Sequence, residues 1–116
     1  MEFGNYIREK RNALREENTR FSLRQVADRV ELEPAYLSKI ERNEVRPPSE
    51  NKIRKIAKEL DEDPDVLLAL AGKVGTELQE IIRRRPKLFS DLIRELKDMP
   101  EAAILRVVRE VRDGEW

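Results

Sequence analysis

The stretch from Pro34 to Arg46 carries side chains whose types suit contact with a nucleic acid. Lys39 has an ammonium that can donate to guanine O6 and N7, and Ala35 has a methyl group that can pack on the methyl of thymine. Tyr36 is suited to a phosphate contact. The alternative for Lys39 is an ordinary solvated lysine, and the alternative for Tyr36 is partial packing on the preceding helix with its hydroxyl free. The residues that we predict on a DNA-binding surface are Arg20, Arg24, Gln25, Pro34, Ala35, Tyr36, Ser38, Lys39, Arg42, Arg46 and Lys52.

The apolar residues from Ser22 to Arg42 predict two short helices joined by a tight turn. The spacing of Val26, Ala27, Leu37 and Ile40 buries one face of each helix against the other. The polar and basic face of the second helix then points outward. Two helices at a steep angle, with such a face on the second, form the geometry that enters a DNA major groove.

Composition limits the other functions. The 116 residues suggest one domain, or one domain with a small appendage. With no Cys and no His, disulfides, thiolate or imidazole metal sites and a His general base are excluded. We therefore predict no metal and no cofactor. An enzyme is not expected either, because there is no Gly-rich phosphate loop and no acid pair in a catalytic setting.

The apolar runs are too short for a membrane span. None approaches 18 residues, and the first residues lack the apolar segment of a signal peptide. We therefore expect a soluble, cytoplasmic protein with no membrane partner.

The charge balance is unusual for a DNA-binding protein. The chain has 24 Lys+Arg and 24 Asp+Glu, whereas DNA-binding domains are usually basic. Glu31, Glu33 and Glu44 lie close to the predicted DNA-binding surface, where they would repel phosphate. We therefore predict modest affinity for each monomer and dependence on dimerisation.

The helical pattern predicts an all-α fold with a boundary near Gly72 and Gly75. Residues 1–72 form the predicted DNA-binding domain and residues 73–116 a C-terminal segment for dimerisation or partner binding. We expect a first helix over Glu2–Arg15, with Phe3, Ile7, Ala13 and Leu14 inward, and then a loop over Glu16–Arg20. No internal repeat is recognised.

Helix ends are predicted from single residues. Ser22, with Gln25 as its capping-box partner, and Ser49 each precede a helix. Pro34 and Pro64 suit first helical positions, and Asn43 suits a left-handed helix end. The fifth helix, from Pro64, is expected to turn Val66, Leu67 and Leu70 inward.

The C-terminal segment predicts three helical stretches, the last two forming a hairpin. Its apolar stripes need a partner surface, either the fifth helix or a second chain. We favour a homodimer, because operator half-sites one turn apart need two recognition helices about 34 Å apart. The predicted dimer or partner residues are Leu88, Phe89, Leu92, Ile93, Leu96, Ile104, Leu105, Val108 and Val111.

Four stretches of the chain resemble one family. FGNYIREKRNAL, SLRQVADRV, PAYLSKIERNEVRPPS and IRKIAKELDEDPDVLLALAG are similar to the helix-turn-helix domain of the Cro/CI-like family, also called the xenobiotic-response-element family. The resemblance implies a five-helix, lambda-repressor-like domain followed here by the small C-terminal helical hairpin. It also implies a dimer that reads a partly palindromic operator with its third helix.

The resemblance also implies an ion pair between Arg11 and Glu41. The residues themselves support this pair, because Glu41 follows the inward Ile40, and a carboxylate at the edge of the core needs a bidentate donor. The alternative is an exposed Glu41 beside local basic residues, where an ion pair would contribute little.

The chain departs from the family pattern in three places. Glu31 stands in the turn, where Gly is common, and a left-handed residue other than Gly costs roughly 1 kcal/mol. Leu23 stands where a Gln often touches a phosphate. The connection Glu16–Arg20 is longer than is usual.

Together these features predict a sequence-specific transcriptional regulator that binds double-stranded DNA. We expect a dimeric repressor that places residues 34–42 in the major groove. The alternative is the antitoxin of a toxin–antitoxin pair. In that case the C-terminal helices would bind a toxin or another antagonist protein, and DNA binding would serve autoregulation.

Overall fold

The structure, a computed structural model, describes residues 2–116, and these residues form helices and no strand. The prediction of an all-α fold is confirmed. The chain divides into two compact units, Met1–Gly75 and Thr76–Trp116. Met1, with which the predicted first domain begins, lies outside the described residues. In order, the helices are α1 Phe3–Glu17, α2 Leu23–Arg29, α3 Pro34–Glu41, α4 Glu50–Glu59, α5 Pro64–Leu70, α6 Thr76–Arg84, α7 Pro86–Leu96 and α8 Glu101–Asp113, with a 3₁₀ turn at Thr19–Phe21.

The first unit is built on one apolar core to which all five of its helices contribute. Short helices such as these are marginal in isolation, so the shared core holds them in the folded state. The buried side chains follow the three- and four-residue spacing of helix faces. They are Phe3, Ile7, Val26, Ala27, Val30, Leu37, Ile40, Ile53, Ile56, Ala57, Leu60, Leu67 and Leu68.

Two residues predicted to face inward are exposed. Arg11 occupies the inward position one turn after Ile7, which places Ala13 about 200° further round the helix and in solvent. In α5 the core-facing pair is Leu67 and Leu68, and Val66 is therefore 41% exposed. These two predictions are wrong, because the helical spacing of apolar residues does not show which of several neighbouring residues is most deeply buried.

The predicted loop over Glu16–Arg20 is also mostly ordered helix. α1 continues to Glu17, and the Asn18 N–H still donates to the Leu14 carbonyl at 3.0 Å. The Asn18 side chain then accepts from the Arg20 N–H at 3.0 Å and opens the 3₁₀ turn. Asn18 alone lies between the end of α1 and the 3₁₀ turn, so the connection is shorter than its polar sequence suggests.

Helices α2 to α5 all end in the same way. Each is followed by a residue at positive φ, and the next residue donates its N–H to the carbonyl five positions back, which is the Schellman arrangement. The prediction that Asn43 ends α3 in this conformation is confirmed. The positive-φ residues are Glu31 (60°), Asn43 (59°), Asp61 (54°) and Gly72 (74°).

The α4–α5 pair repeats the local geometry of the α2–α3 pair. Leu32 donates to the Ala27 carbonyl at 2.9 Å, and Glu62 donates to the Ala57 carbonyl at 2.8 Å. A proline opens the second helix in each pair. The two pairs thus share a helix end and a proline start, although ADRVELEPAYL and AKELDEDPDVL share few identical residues. The prediction that the sequence contains no internal repeat stays a prediction.

The second unit comprises α6, α7 and α8, with α6 packed against α7. None of its residues is buried, although all three helices are amphipathic. Part of each apolar face is half-covered, including Phe89, Leu96 and Ile104. Of all residues from 2 to 116, none belongs to a helix that is both long and apolar enough to cross a membrane.

Candidate nucleic-acid interface

Helix α3 is anchored on one side and exposed on the other. Leu37 and Ile40 are each 1% exposed and pack in the core. On the opposite side Ala35, Tyr36 and Lys39 are exposed, with Pro34 and Ser38 half-buried at its edges. The structure therefore places the four side chains predicted to face the groove on one side of α3, together with Tyr36, which was predicted to lie near the DNA backbone. We call these five residues, 34, 35, 36, 38 and 39, the α3 face.

The end of α3 is held to α1 by the ion pair between Arg11 and Glu41. Arg11 Nε donates to Glu41 Oε2 at 2.7 Å, and Nη2 donates to Oε1 at 2.8 Å. The two side chains are only 7% and 4% exposed. Arg11 Nη1 also donates to the Phe21 carbonyl at 3.2 Å. One guanidinium thus joins α1, α3 and the 3₁₀ turn by directed, charge-assisted hydrogen bonds.

A second link between α1 and α3 is not evident in the sequence. The Gly4 N–H donates to Asn43 Oδ1 at 3.0 Å, and Asn43 Nδ2 donates to Asn5 Oδ1 at 2.9 Å. Gly4 lies so close to the Ile40 carbonyl that a Cβ at this position would overlap the oxygen. The sequence signal is weak: a glycine inside the first turn of a helix, where its propensity is poor.

The turn between α2 and α3 is closed by lysines from α4. Lys52 Nζ donates to the carbonyls of Val30 and Glu31 at 3.1 and 3.0 Å. Lys55 Nζ donates to the Glu31 carboxylate at 3.1 Å. This hydrogen bond from Lys55, with the charges of Lys55 and Lys52, lowers the pKa of Glu31. The non-glycine turn residue is thus compensated by contacts from another helix.

Lys52 was predicted to contact DNA, and this role stays a prediction. Its ammonium is directed at two turn carbonyls and lies 3.8 Å from the Glu31 carboxylate. Those bonds use two of the three N–H donors of the ammonium. Lys55, which the sequence prediction left out, takes part in the same cluster.

The start of α2 presents the next group of predicted contacts. Arg24 and Gln25 are exposed in its first turn, and Arg20 is exposed in the 3₁₀ turn, with its guanidinium 5.8 Å from the centre of the Phe21 ring. The Ser22 side chain accepts from the Gln25 N–H at 3.3 Å. The Ser22 N–H donates to the Thr19 carbonyl, so it does not bond to Gln25 as the predicted capping box requires.

On the other side of α3, Arg42 and Arg46 are exposed. Arg42 Nη1 lies 3.3 Å from Glu44 Oε1, so this acid is paired as Glu31 is. Glu33 has no ion pair among the described residues. Two of the three acids expected to repel phosphate are thus partly neutralised. Within residues 2–116 no group of acidic side chains is arranged to hold a metal ion.

Comparison with known proteins agrees with this geometry. A family model described as helix-turn-helix matches residues 7–67, which is more than half of the chain and extends from α1 into α5. No curated protein and no solved structure matches the chain significantly.

Proposed function

Since the chain belongs to the Cro/CI-like family of helix-turn-helix DNA-binding regulators, we propose that it is a repressor that binds operator DNA as a homodimer. The observation that carries this proposal is the α3 face, which is exposed and largely uncharged apart from Lys39, on a helix whose other side is fixed in the core. A helix held in this way enters the major groove without rearrangement.

Within the groove, the α3 face offers few hydrogen-bond donors. Lys39 is the candidate to donate hydrogen bonds to guanine O6 and N7. Ser38 could form a hydrogen bond with either base of a pair. Ala35 and Pro34 offer only apolar contact, and Ala35 suits a thymine methyl. Part of the specificity then comes from the shape and deformability of the operator.

Basic and polar residues on both sides of α3 would set its position on the duplex. Arg20, Arg24 and Gln25 lie on the α2 side, and Arg42 and Arg46 lie beyond the end of α3. Contacts of this kind fix register and orientation but carry little sequence information. Tyr36 completes this group through its hydroxyl.

The second unit supplies the proposed dimer contacts. A unit of three amphipathic helices with no buried residue lacks a core of its own, and its apolar faces need a partner. Leu88, Leu92, Ile93, Leu105, Val108 and Val111 are 45% exposed or more. A second copy would cover them and bring two α3 helices to adjacent half-sites.

Lys39→Ala tests the reading of bases directly. Fragments bound from a random DNA pool should lose the guanine preference at one position of each half-site, with a loss of affinity of about tenfold. Lys58→Ala, which removes an exposed lysine from α4, is the control and should leave the selected sequence unchanged. An identical selected sequence for Lys39→Ala would refute direct readout by this residue.

The positions of Lys52 and Arg46 lead to opposite expectations for salt dependence. Arg46→Met should lower the slope of log K against log salt by about one, as loss of a phosphate contact does. Lys52→Met should leave that slope unchanged and lower the unfolding free energy by about 1 kcal/mol, because its ammonium bonds to the turn. Titrations of operator DNA at several salt concentrations decide the matter. A smaller slope for Lys52→Met would show that Lys52 contacts a phosphate of the DNA.

The exposed apolar faces of the second unit favour one alternative, an antitoxin whose C-terminal helices bind a toxin. Purified alone, such a chain would remain monomeric at micromolar concentration. Co-expressed with a small toxin-like protein encoded beside it, it would form a stable complex that protects the amides of α7 and α8 from exchange. A concentrated, purified dimer with the same protection would instead favour the homodimer.

A further inference from the structure

Helix α8 carries a stripe of side chains that are about half exposed or more. Leu105 is 46% exposed and Val108 is 48% exposed. At about 100° per residue, Glu101 and Arg112 lie on the same side of the helix, so that all four residues fall within about 60°. Glu101 is exposed, and the Arg112 side chain is 67% exposed. We call these four residues, 101, 105, 108 and 112, the α8 stripe.

The α8 stripe is complementary to itself when reversed. Reading the stripe from Glu101 gives acid, Leu, Val and base, at intervals of four, three and four residues. When a second copy of the stripe runs antiparallel to the first, Leu105 lies opposite Val108 and Glu101 lies opposite Arg112. In a two-fold dimer each of these contacts occurs twice, because residue 105 of either copy meets residue 108 of the other, and residue 101 of either copy meets residue 112 of the other.

The parallel alternative has unfavourable charges. With two α8 helices side by side in parallel and in register, Glu101 would face Glu101 and Arg112 would face Arg112. Among residues 2–116, the ion-pair partner of Arg112 is Asp113, the next residue, at 3.8 Å, and this pair is solvent-exposed. Such a contact competes weakly with an interchain pair.

We propose that α8 packs antiparallel against α8 of a second copy, with the two-fold axis passing between Leu105 and Val108. Leu105 then contacts Val108 of the other copy, and Glu101 pairs with Arg112 at both ends of a contact about 16 Å long. The proposal rests on the proposed homodimer and specifies its register. Ile104 and Val111, beside the stripe, extend the apolar contact.

Charge reversal tests the ends of this contact. Arg112→Glu alone and Glu101→Arg alone each place like charges opposite one another at two sites, and each should raise the dimer Kd by about tenfold. The double variant should restore the parental Kd. The double variant keeps both changes of charge at the helix ends. A restored dimer Kd therefore cannot be explained by a recovery of the stability of α8. Sedimentation equilibrium over a dilution series measures all three.

Arg106 and Glu110 provide matched controls on the opposite side of α8, about 160° from Val108. Arg106→Glu and Glu110→Arg make the same changes in net charge and should leave the Kd within about twofold. If these variants weaken the dimer as much as Arg112→Glu does, or if the double charge swap does not restore it, the register is wrong.

Cysteine pairing tests the direction of the helices, because the chain has no Cys of its own. Leu105→Cys and Val108→Cys proteins are oxidised separately and as an equal mixture. The antiparallel register predicts that the mixed 105–108 disulfide forms faster than either 105–105 or 108–108. Faster formation of the two like disulfides would indicate parallel helices and overturn the proposal.

Failure of the register is distinguishable from failure of the proposed function. Operator selection with the parental chain reports on DNA binding alone. A chain that selects a DNA sequence but ignores the charge swaps keeps its function and loses this register. A chain that responds to the swaps but selects no DNA keeps the register and loses the proposed function.

Discussion

Arg11→Met should lower the free energy of unfolding of the first unit by about 3–5 kcal/mol, because it leaves the Glu41 carboxylate buried without its donor. Glu41 is 3% exposed and receives two hydrogen bonds from Arg11. Small domains are stable by only about 5–15 kcal/mol, so the loss is a large fraction of the total. Urea denaturation followed by circular dichroism at 222 nm measures it. Binding to operator DNA should fall as well, since the pair holds the end of α3.

Arg54→Met is the matched control for this loss. It also removes an arginine from an ion pair, with Glu50 at 3.1 Å, but both side chains are more than 30% exposed. Its cost should be at most about 1 kcal/mol. The double variant Arg11→Met, Glu41→Leu should recover most of the stability, because it leaves no unpaired buried charge. An equal cost for Arg11→Met and Arg54→Met would show that the buried pair is not important for stability.

Gly4→Ala should cost about 3 kcal/mol, through a backbone clash between α1 and α3. A Cβ on Gly4 would overlap the Ile40 carbonyl oxygen and crowd the Asn43 side chain. Neither neighbour is free to move, since Ile40 is in the core and Asn43 ends α3 at positive φ. Thermal unfolding should show the loss, and the hydrogen bond from the Gly4 N–H to Asn43 should lose protection from exchange.

Gly72→Ala is the control for Gly4→Ala, because it adds the same methyl group at another glycine. Gly72 has a φ of 74°, and a Cβ there would meet nothing within 4 Å. Its cost is therefore conformational strain of about 1 kcal/mol. If Gly4→Ala is no more destabilising than Gly72→Ala, α1 and α3 have room to separate and the close contact is not required.

Much of the first unit could be predicted from local patterns. Ser49, Pro64 and Asn43 occupy the helix-end positions that their side chains suit. The spacing of apolar residues also located most of the core. Where these signals were ambiguous, as at Ala13 and Val66, the prediction failed, because two neighbouring residues both fit the helical period and only packing decides between them.

The sequence by itself determined the helices, most of their ends and the exposed side of α3, because each depends on residues within a few turns of one another. The resemblance to the family indicated the pair of Arg11 and Glu41, and the residues supported it, since a carboxylate next to a buried isoleucine needs a strong donor.

Only the tertiary structure decided what Lys52 and Gly4 do. Lys52 lies 21 residues from Glu31 and Gly4 lies 39 residues from Asn43, and they meet only when α1, α3 and α4 pack together. A lysine on a helix and a glycine near a helix start are each compatible with many environments. The backbone that they contact is brought to them by the core, so their roles follow from packing and not from local spacing.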